Sequence, residues 1–282
     1  MAKRRKKSTS TTHKLPSKAI IILCIIASIA FISTKALNQC ENSANSQRFN
    51  GLSSVITAPE TNEHIVNYKA MTISFNPKLH IPNWVSWELT GEETNGQVPR
   101  EKKFFCDESV PGCADDWDYS YSGYDRGHMI PAADAKWDKT AMKETFYMTN
   151  ICPQAKSLNT GAWKRLEEKC RIWAQADSSI FIVCGPIVSD KFKEYLGDSR
   201  VAVPKRFFKV ILSPYANPPR GIGFIMPNAK VPGGMQASAV TIDSVEAVTG
   251  HDFFASLPDS IESQVESQCR FHKWSTLKPK KR

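Results

Sequence analysis

The 282-residue sequence lacks clustered cysteines with CxxC-type spacing, internal repeats and the composition of a disordered chain. Structural zinc sites need closely spaced cysteine or histidine ligands, so the cysteine spacing argues against a zinc module. With 41% hydrophobic and 23% charged residues, the composition is that of a globular protein. The length allows a short targeting segment and one good-sized domain, or at most two small ones.

The folded part of the chain also lacks a surplus of basic residues. The net charge is +9, but seven basic residues and no acidic ones lie within residues 1–18, and four more lie within residues 278–282. Without these two ends, 26 basic residues face 28 acidic ones. Any affinity for phosphate must therefore come from a local cluster of side chains.

The N-terminus combines this basic stretch with an apolar run over residues 19–33. The pattern predicts a targeting segment, and its positive flank predicts that the rest of the chain faces outward. Because the run is short for a membrane-spanning helix and long for a signal peptide, an anchor and a cleaved signal both stay open. We therefore expect export, with the protein anchored in a membrane and facing the periplasm or extracellular side, or secreted.

The composition shifts along the chain predict one folded domain with flanking segments. The boundaries are a basic region over 1–18, a signal anchor or signal peptide over 19–35, a polar linker over 36–61, the domain over 62–275 and a basic tail over 276–282. Seven cysteines follow the apolar run, an odd number that leaves at least one without an intrachain partner. Cys106 and Cys113 flank a Pro-Gly turn, which predicts a disulfide in an oxidising compartment.

Hydrophobic periodicity predicts an α+β domain around a central sheet. Strand-like alternation begins at His64 and recurs in NWVSWELT, and SIFIVCGPIV, RFFKVILSP and GIGFIMPN are apolar runs typical of buried strands. Residues 160–177 repeat large apolar side chains at three- and four-residue steps, which predicts a helix. Short helices are expected between residues 243 and 268.

The residues that suggest chemistry lie between Arg100 and Arg171. His128 stands in the string YDRGHM, and Asn159, Glu167 and Arg171 follow at spacings that place them on one helical face. A lone histidine is most often structural, and a Glu–Arg pair four residues apart is often a solvated ion pair. Phosphodiester hydrolysis, however, needs a base for water, a cation for the developing charge and a clamp for phosphate. This one window contains side chains suited to each task.

The string DRGHM-x-P-A-A-D over residues 125–134 resembles the signature of the DNA/RNA non-specific endonucleases, the ββα-metal nucleases that include mitochondrial endonuclease G. The block KETFYMTNICPQAKSLNTGAWKRLEEKCR, which starts at residue 143, resembles a second family segment at the expected distance. The resemblance covers about residues 62–268. It implies an α+β fold with a central antiparallel sheet flanked by helices.

The resemblance also implies roles for individual residues. His128 would activate the attacking water, and Asn159 would be the direct protein ligand of a hydrated Mg²⁺ ion, for which Mn²⁺ can substitute. Glu167 would hold the water shell of the metal, while Arg171 and Arg100 would contact the scissile phosphate. The implied products carry a 5′-phosphate and a 3′-hydroxyl.

Several neighbouring residues are expected to support the site rather than to react. The resemblance implies that Asp125, Arg126 and Gly127 shape the motif, and that Asn150 and Gln154 support the connection between strand and helix. An acidic insert of three aspartates precedes the motif, and we expect it to form a solvated loop away from substrate: Asp115, Asp116 and Asp118.

The implied substrates are DNA and RNA, single- and double-stranded, because contacts to phosphate and sugar carry no sequence information. Three other interpretations stay open: a catalytically silent nucleic-acid-binding or envelope protein of the same fold, a phosphodiesterase or phosphatase acting on small molecules, and basic tails that bind a membrane or a polyanion. The sequence also leaves open the biological role, any preference between DNA and RNA, and a homodimer.

Overall fold

An antiparallel seven-stranded sheet is the centre of the computed structural model, which describes residues 54–59, 61–188 and 194–279. Along the chain the strands are β1 (Val55–Ile56), β2 (His64–Asn67), β3 (Thr72–Asn76), β4 (Ile81–Thr90), β5 (Asp125–His128), β6 (Ile151–Gln154), β7 (Ser179–Ile187), β8 (Glu194–Leu196), β9 (Val201–Val203), β10 (Arg206–Ser213), β11 (Arg220–Pro227), β12 (Ala239–Val240) and β13 (Asp252–Phe253). The spatial order in the large sheet is β12, β11, β10, β7, β4, β3, β2. The remaining strands form the pairs β1–β13, β5–β6 and β8–β9.

The helices are short, apart from one that lies beside the site. They are α1 (Lys139–Glu144), α2 (Lys164–Asp177), α3 (Gly234–Ser238), α4 (Ile242–Thr249), α5 (Asp259–Glu266) and α6 (Phe271–Ser275). A π-helical turn, Leu158–Trp163, leads directly into α2. Single 3₁₀ turns lie at Glu93–Asn95, Asp116–Tyr119, Ala132–Ala135 and Met148–Asn150.

The predicted class, α+β with a central antiparallel sheet flanked by helices, is confirmed. The alternating segment that begins at His64 divides into β2 and β3, because the Tyr68 backbone N–H donates to the Met71 carbonyl at 2.8 Å and closes a turn. The three apolar runs become the central strands β7, β10 and β11. Their continuous apolar character follows from burial on both faces.

Both faces of the central sheet are covered. Successive side chains of a strand point to opposite faces, and β10 shows the consequence. The Phe207 ring lies 5.7 Å from the ring of Trp163, in the turn before α2, whereas the Phe208 ring lies 5.3 Å from the ring of Phe253 in β13. One face therefore packs against α2, and the other packs against β13 and the segments of α4 and α5.

The helix predicted over residues 160–177 has two parts in the structure. Its first four residues belong to the π-helical turn, and the remainder forms α2. The regular α-helix starts at Lys164, and Gly161 has non-helical backbone angles, φ −104° and ψ −114°. At the other end, the Trp173 indole N–H donates to the Trp274 carbonyl at 2.8 Å. This bond ties α2 to α6 across the same face of the sheet.

A close contact between β5 and β6 brings the DRGH motif beside the helix. In the antiparallel register, Asp125 pairs with Gln154 and Gly127 pairs with Cys152. A Cβ atom on Gly127 would lie 2.3 Å from Oε1 of Gln154, so a larger residue here would have to displace the buried Gln154 side chain. Together β5, β6 and α2 form a ββα unit at one side of the central sheet.

Residues 55–58, which lie within the predicted linker, contact the C-terminal part of the domain. β1 pairs with β13, and the Ala58 backbone N–H donates to Nδ1 of His251 at 2.9 Å. The Thr57 hydroxyl accepts a hydrogen bond of 2.9 Å from the Trp84 indole. Part of the predicted linker therefore belongs to the folded unit.

The predicted basic region over 1–18 and the signal anchor over 19–35 lie outside the described residues. So does most of the linker and the end of the tail, residues 280–282. None of the helices in the described ranges combines the length and apolar character that crossing a membrane requires.

The predicted disulfide between Cys106 and Cys113 is not formed, since both residues are free thiols. Cys106 Sγ lies 3.6 Å from the Cys113 carbonyl oxygen, and Cys113 Sγ accepts a hydrogen bond of 3.2 Å from the Asp107 backbone N–H. The Pro-Gly turn brings the two cysteines together, as predicted, but their thiols form hydrogen bonds rather than a disulfide bond.

Replacing Thr57 with valine should destabilise the fold by roughly 1–3 kcal/mol. Valine preserves the shape but leaves the Trp84 indole N–H, in a residue that is only 3% exposed, without an acceptor. The free energy of unfolding in urea measures the effect. Thr140→Val, at an exposed position of α1, is the control and should change it by less than about 0.5 kcal/mol. Equal stability of Thr57→Val and wild type would show that residues 55–58 do not belong to the domain.

Candidate active site

A cavity of about 290 Å³ lies where the end of β5, the π-helical turn and α2 meet. Its lining includes every residue predicted to be catalytic or metal-binding: Arg100, His128, Asn159, Glu167 and Arg171. Phe104, Arg126 and Lys164 also line it. Four cationic side chains against one carboxylate make this cavity attractive to an anion. A larger cavity, of about 560 Å³ beside the 3₁₀ turn Asp116–Tyr119, contains none of the five.

The His128 side chain is enclosed by aromatic rings at the end of β5. The rings of Phe104 and Phe146 lie 5.5 and 4.8 Å from the imidazole, centroid to centroid. Burial, and to a smaller extent the positive charge of Arg100, lower the pKa of His128 to about 3. A hydrogen bond with the Arg126 backbone raises the pKa and offsets part of this effect. Among the described residues, Nε2 of His128 has no hydrogen-bond partner. The imidazole is therefore neutral at neutral pH, with Nε2 free to accept a proton.

The side chain of Asn159 is oriented by Asp125. Its Nδ2 donates to Oδ2 of Asp125 at 2.9 Å. Because an ionised carboxylate can only accept hydrogen bonds, the amide nitrogen faces Asp125 and Oδ1 of Asn159 remains as an oxygen ligand. The predicted common helical face holds for Glu167 and Arg171 in α2, whereas Asn159 reaches the same cavity from the π-helical turn.

Glu167 occupies an environment that weakens its ionisation. Burial raises the pKa of Glu167 to about 7. The positive charge of Lys209 lowers this pKa, and the nearby carboxylate of Asp134 raises it. Arg171 and Arg100 act in the opposite direction. A cation brought close to Glu167 would favour its ionised form for the same electrostatic reason.

The two arginines predicted to contact phosphate approach the cavity from different segments. The guanidinium carbon of Arg100 lies 4.9 Å from the centroid of the Phe146 ring. Arg171, in α2, is held by an ion pair in which Nη1 lies 2.8 Å from Oδ1 of Asp134. Asp134 is only 2% exposed, so it fixes the position of Arg171 from beneath the cavity.

Lys209 lies fully buried near this ion pair. Its Nζ is 4.9 Å from the centroid of the Trp87 ring and 4.4 Å from that of Trp163. No role is predicted from the sequence for Asp134 or Lys209. The available signal for Asp134 was its place at the end of the DRGHM-x-P-A-A-D string, and for Lys209 it was a lone charge within the apolar run RFFKVILSP.

The acidic insert differs from the predicted solvated loop. Asp115 and Asp118 form a capping box around the 3₁₀ turn Asp116–Tyr119, and Asp118 is only 7% exposed. Asp116 forms an ion pair with Arg126 and also accepts a hydrogen bond from it through its backbone carbonyl, at 2.7 Å. The insert is thus folded against the motif, and Arg126 is engaged by Asp116 at the edge of the cavity.

The predicted supporting residues lie behind the cavity. Asn150 is fully buried and accepts a hydrogen bond from the Ile130 backbone N–H, while its Nδ2 donates to the carbonyls of Ile130 and Thr145. These bonds fix the chain just after the DRGH motif. Gln154 packs directly against Gly127, and its side-chain amide has no hydrogen-bond partner among the described residues.

The donor set of the cavity fits a hard divalent cation. The free Oδ1 of Asn159 and the carboxylate of Glu167 are oxygen ligands, the type that Mg²⁺ and Mn²⁺ prefer. Neither cysteine nor a second histidine is among the lining residues. So few protein oxygens suit an ion that keeps most of its water molecules.

Comparison with known proteins identifies, over most of the chain, the family that the sequence motifs resemble. Residues 51–260 match the family described as DNA/RNA non-specific endonuclease. The chain is 35% identical to the mitochondrial nuclease EXOG of Mus musculus over 211 residues, covering 68% of this chain and 57% of that protein. It is also 35% identical to the mitochondrial nuclease of Saccharomyces cerevisiae, covering 66% and 64%. The chain thus spans about six tenths of the length of these relatives.

A solved structure supports the likeness at the level of the fold. The crystal structure of the EndoG/EndoGI complex matches with a TM-score of 0.65 and 30% sequence identity, over 70% of this chain and 88% of that one. Human mitochondrial endonuclease G is 31% identical, covering 64% of this chain and 66% of that protein.

The predicted export, with the protein anchored in a membrane or secreted, is wrong. The relatives from mouse, yeast and human are all named as mitochondrial nucleases. The prediction depended on the basic, acid-free segment over residues 1–18 and the apolar run after it. A cation-rich segment without acids does not by itself distinguish export from targeting to an organelle.

Replacing His128 with leucine should change how stability depends on pH. The unfolded chain binds a proton at His128 near pH 6.5, whereas the folded chain does so only near pH 3. Below pH 6.5 the wild type should therefore lose stability relative to His128→Leu, by about 1.4 kcal/mol per pH unit at most. Urea unfolding of both proteins between pH 7.5 and 5 measures the difference.

The control for this prediction is Ile211→Val, a buried change without a titratable group. Its stability difference from wild type should stay constant over the same pH range. A constant difference for His128→Leu as well would show that the imidazole is not held neutral by the fold.

Proposed function

Because this chain belongs to the DNA/RNA non-specific endonuclease family, we propose that it is a metal-dependent endonuclease that hydrolyses phosphodiester bonds in DNA and RNA without strong sequence specificity. The observation that carries the proposal is the placement of a neutral His128, with a free Nε2, in one cavity with Arg100 and Arg171. A base and two phosphate-binding groups within one cavity are what water-mediated hydrolysis of a phosphodiester requires.

His128 acts as the general base in this proposal. Its Nε2 takes a proton from the attacking water, and its hydrogen bond with the Arg126 backbone orients the ring. The pKa of about 3 belongs to the cavity without substrate, where Arg100 is unneutralised. A phosphate bound against Arg100 would offset that positive charge and make His128 more basic.

The arginines bind and orient the scissile phosphate. Arg171 is pre-positioned by Asp134, so its guanidinium loses little conformational freedom when it binds. Arg100 and Arg171 together would offset the charge that develops on the phosphate oxygens. The proposed products carry a 5′-phosphate and a 3′-hydroxyl, because water attacks phosphorus and the 3′ oxygen leaves.

We assign the metal to Mg²⁺, with Mn²⁺ as a substitute. Asn159 would hold the ion through Oδ1, and Glu167 would accept hydrogen bonds from its water molecules. When bound, the ion supplies charge stabilisation at the phosphate and the leaving oxygen. Asp125 keeps the Asn159 oxygen turned towards the cavity.

The substrate range follows from the chemistry of the lining. Arginine contacts to phosphate do not read base identity, and water as the nucleophile needs no 2′-hydroxyl. Single- and double-stranded DNA and RNA are therefore all proposed substrates. The predicted C-terminal limit of the domain, at residue 275, and a homodimer stay predictions.

Replacing His128 with alanine should reduce the rate of DNA and RNA cleavage by roughly 10²–10⁴-fold, because the attacking water loses its base. Digestion of plasmid DNA and of total RNA in Mg²⁺, followed over time on gels, gives the rates for both proteins. Lys139→Ala, at an exposed position of α1, serves as the control and should retain the wild-type rate. Near-normal cleavage by His128→Ala would exclude the proposed mechanism.

Replacing Asn159 with alanine should abolish most of the metal-dependent cleavage and raise the Mg²⁺ concentration needed for half of the maximal rate. The reason is the loss of the one neutral oxygen ligand that Asp125 orients. Titration of Mg²⁺ and Mn²⁺ in the plasmid assay, with EDTA as the zero point, measures both effects. Asn62→Ala, at an exposed position, should leave the titration unchanged. Wild-type cleavage in EDTA would contradict the metal requirement.

A further inference from the structure

The C-terminal part of the domain concentrates negative charge. Between residues 231 and 269 the sequence contains six acidic residues and neither lysine nor arginine. Five of these acidic residues converge in space, from α4, β13 and α5: Asp243, Glu246, Asp252, Glu262 and Glu266. Five carboxylates at close range repel one another unless a cation or protons neutralise them.

The geometry of the five carboxylates centres on Glu266. One group comprises Asp243, Glu246 and Glu266, and a second comprises Asp252, Glu262 and Glu266. Within each group the ligand oxygens lie within 4.8 Å of one another. We call the five residues the acidic cluster.

Glu266 differs from an ordinary surface carboxylate. It is only 8% exposed, and its Oε1 is buried without a hydrogen-bond partner among the described residues. Burial, followed by the charges of Glu246 and Glu262, raises the pKa of Glu266 to about 8. Glu266 is thus an enclosed carboxylate beside other carboxylates, with one oxygen that lacks a donor, and such a group is suited to a metal ion.

We propose that the acidic cluster binds one Ca²⁺ ion, with Glu266 as the central ligand and the neighbouring carboxylates of α4, β13 and α5 around it. Two oxygens on opposite sides of Ca²⁺ are about 4.6–5.2 Å apart, whereas Mg²⁺ brings them to about 4.0–4.2 Å. Oxygens within 4.8 Å of one another can share either ion, so the choice of Ca²⁺ rests on the number and flexibility of the carboxylates. Carboxylate-rich, flexible ligand sets also favour Ca²⁺.

The acidic cluster is separate from the candidate active site. α4 and α5 lie against β11 at two glycines: a Cβ on Gly223 would lie 2.8 Å from the Thr241 carbonyl, and one on Gly221 would lie 2.6 Å from the Val265 carbonyl. Phe224 directly follows Gly223 in β11, so its side chain points to the opposite face of the sheet. There it stacks on Trp173 of α2. The sheet thus separates the two sites.

A cation in the acidic cluster would connect three segments of the chain. Glu246 already joins α4 to β13, since its Oε1 accepts a hydrogen bond of 2.9 Å from the Phe253 backbone N–H. Glu262 and Glu266 belong to α5. The expected effect of Ca²⁺ is therefore to stabilise the C-terminal segments against the sheet rather than to take part in hydrolysis.

Equilibrium dialysis of the full chain against Ca²⁺ tests the proposal. The Asn159→Ala background removes the proposed metal ligand of the active site, so Ca²⁺ that remains bound reports on the acidic cluster. After treatment with EDTA and its removal, we expect about one Ca²⁺ per chain in this background. Adding Glu266→Gln should abolish this binding, while Asp259→Asn, an exposed residue of α5 outside the acidic cluster, should not.

Thermal unfolding gives a second readout that does not depend on nuclease activity. Ca²⁺ at a hundredfold excess over its Kd should raise the Tm by roughly 5–10 °C in Asn159→Ala and leave Asn159→Ala/Glu266→Gln unchanged. Equal concentrations of Mg²⁺ should give a smaller increase. Asp243→Asn, at an exposed position, should weaken Ca²⁺ binding if Glu266→Gln does not fold.

Two results would overturn the proposal. One is the absence of saturable Ca²⁺ binding in the Asn159→Ala background. The other is equal binding in that background with and without Glu266→Gln or Asp243→Asn. The first result would mean that Glu266 is neutralised by a proton instead, the second that Ca²⁺ binds elsewhere, and neither would bear on the proposed nuclease activity.

Discussion

The buried charges beneath the candidate active site are the constraint on which its geometry depends. Lys209 lies between two indole rings, Arg171 is paired with Asp134, and Glu167 completes the group at the cavity. Breaking such a group by removing one partner is costly, because the remaining charge stays in a region of low dielectric constant. The central sheet supplies Lys209 and α2 supplies Arg171, so the position of the helix on the sheet and the arrangement of the charges support each other.

Much of the site could be predicted because its residues lie in local patterns. The DRGH string becomes one strand, and Glu167 and Arg171 occupy one face of α2 because four residues make about one helical turn. Asn159 departs from that helix, since the backbone at Gly161 is not helical. It still reaches the same cavity, because the π-helical turn leads directly into α2.

What the sequence did not predict depends on contacts between distant segments. The pairing of Arg126 with Asp116 turned an expected solvated loop into a folded support for the motif. The positions of Asp134 and Lys209 follow from packing α2 on the sheet, which composition and periodicity do not specify. The cysteine prediction shows the same limit: closeness in sequence brought Cys106 near Cys113, but it did not determine the direction of either thiol.

The low pKa of His128 has a consequence for how the proposed base is controlled. A pKa of about 3 makes the imidazole neutral but only weakly basic, whereas an efficient general base has a pKa near the working pH. Burial and the charge of Arg100 cause the depression, and a bound phosphodiester would offset the second of these. The base would then be strongest when substrate is present. Phosphate binding through Arg100 would in this way couple substrate binding to proton transfer.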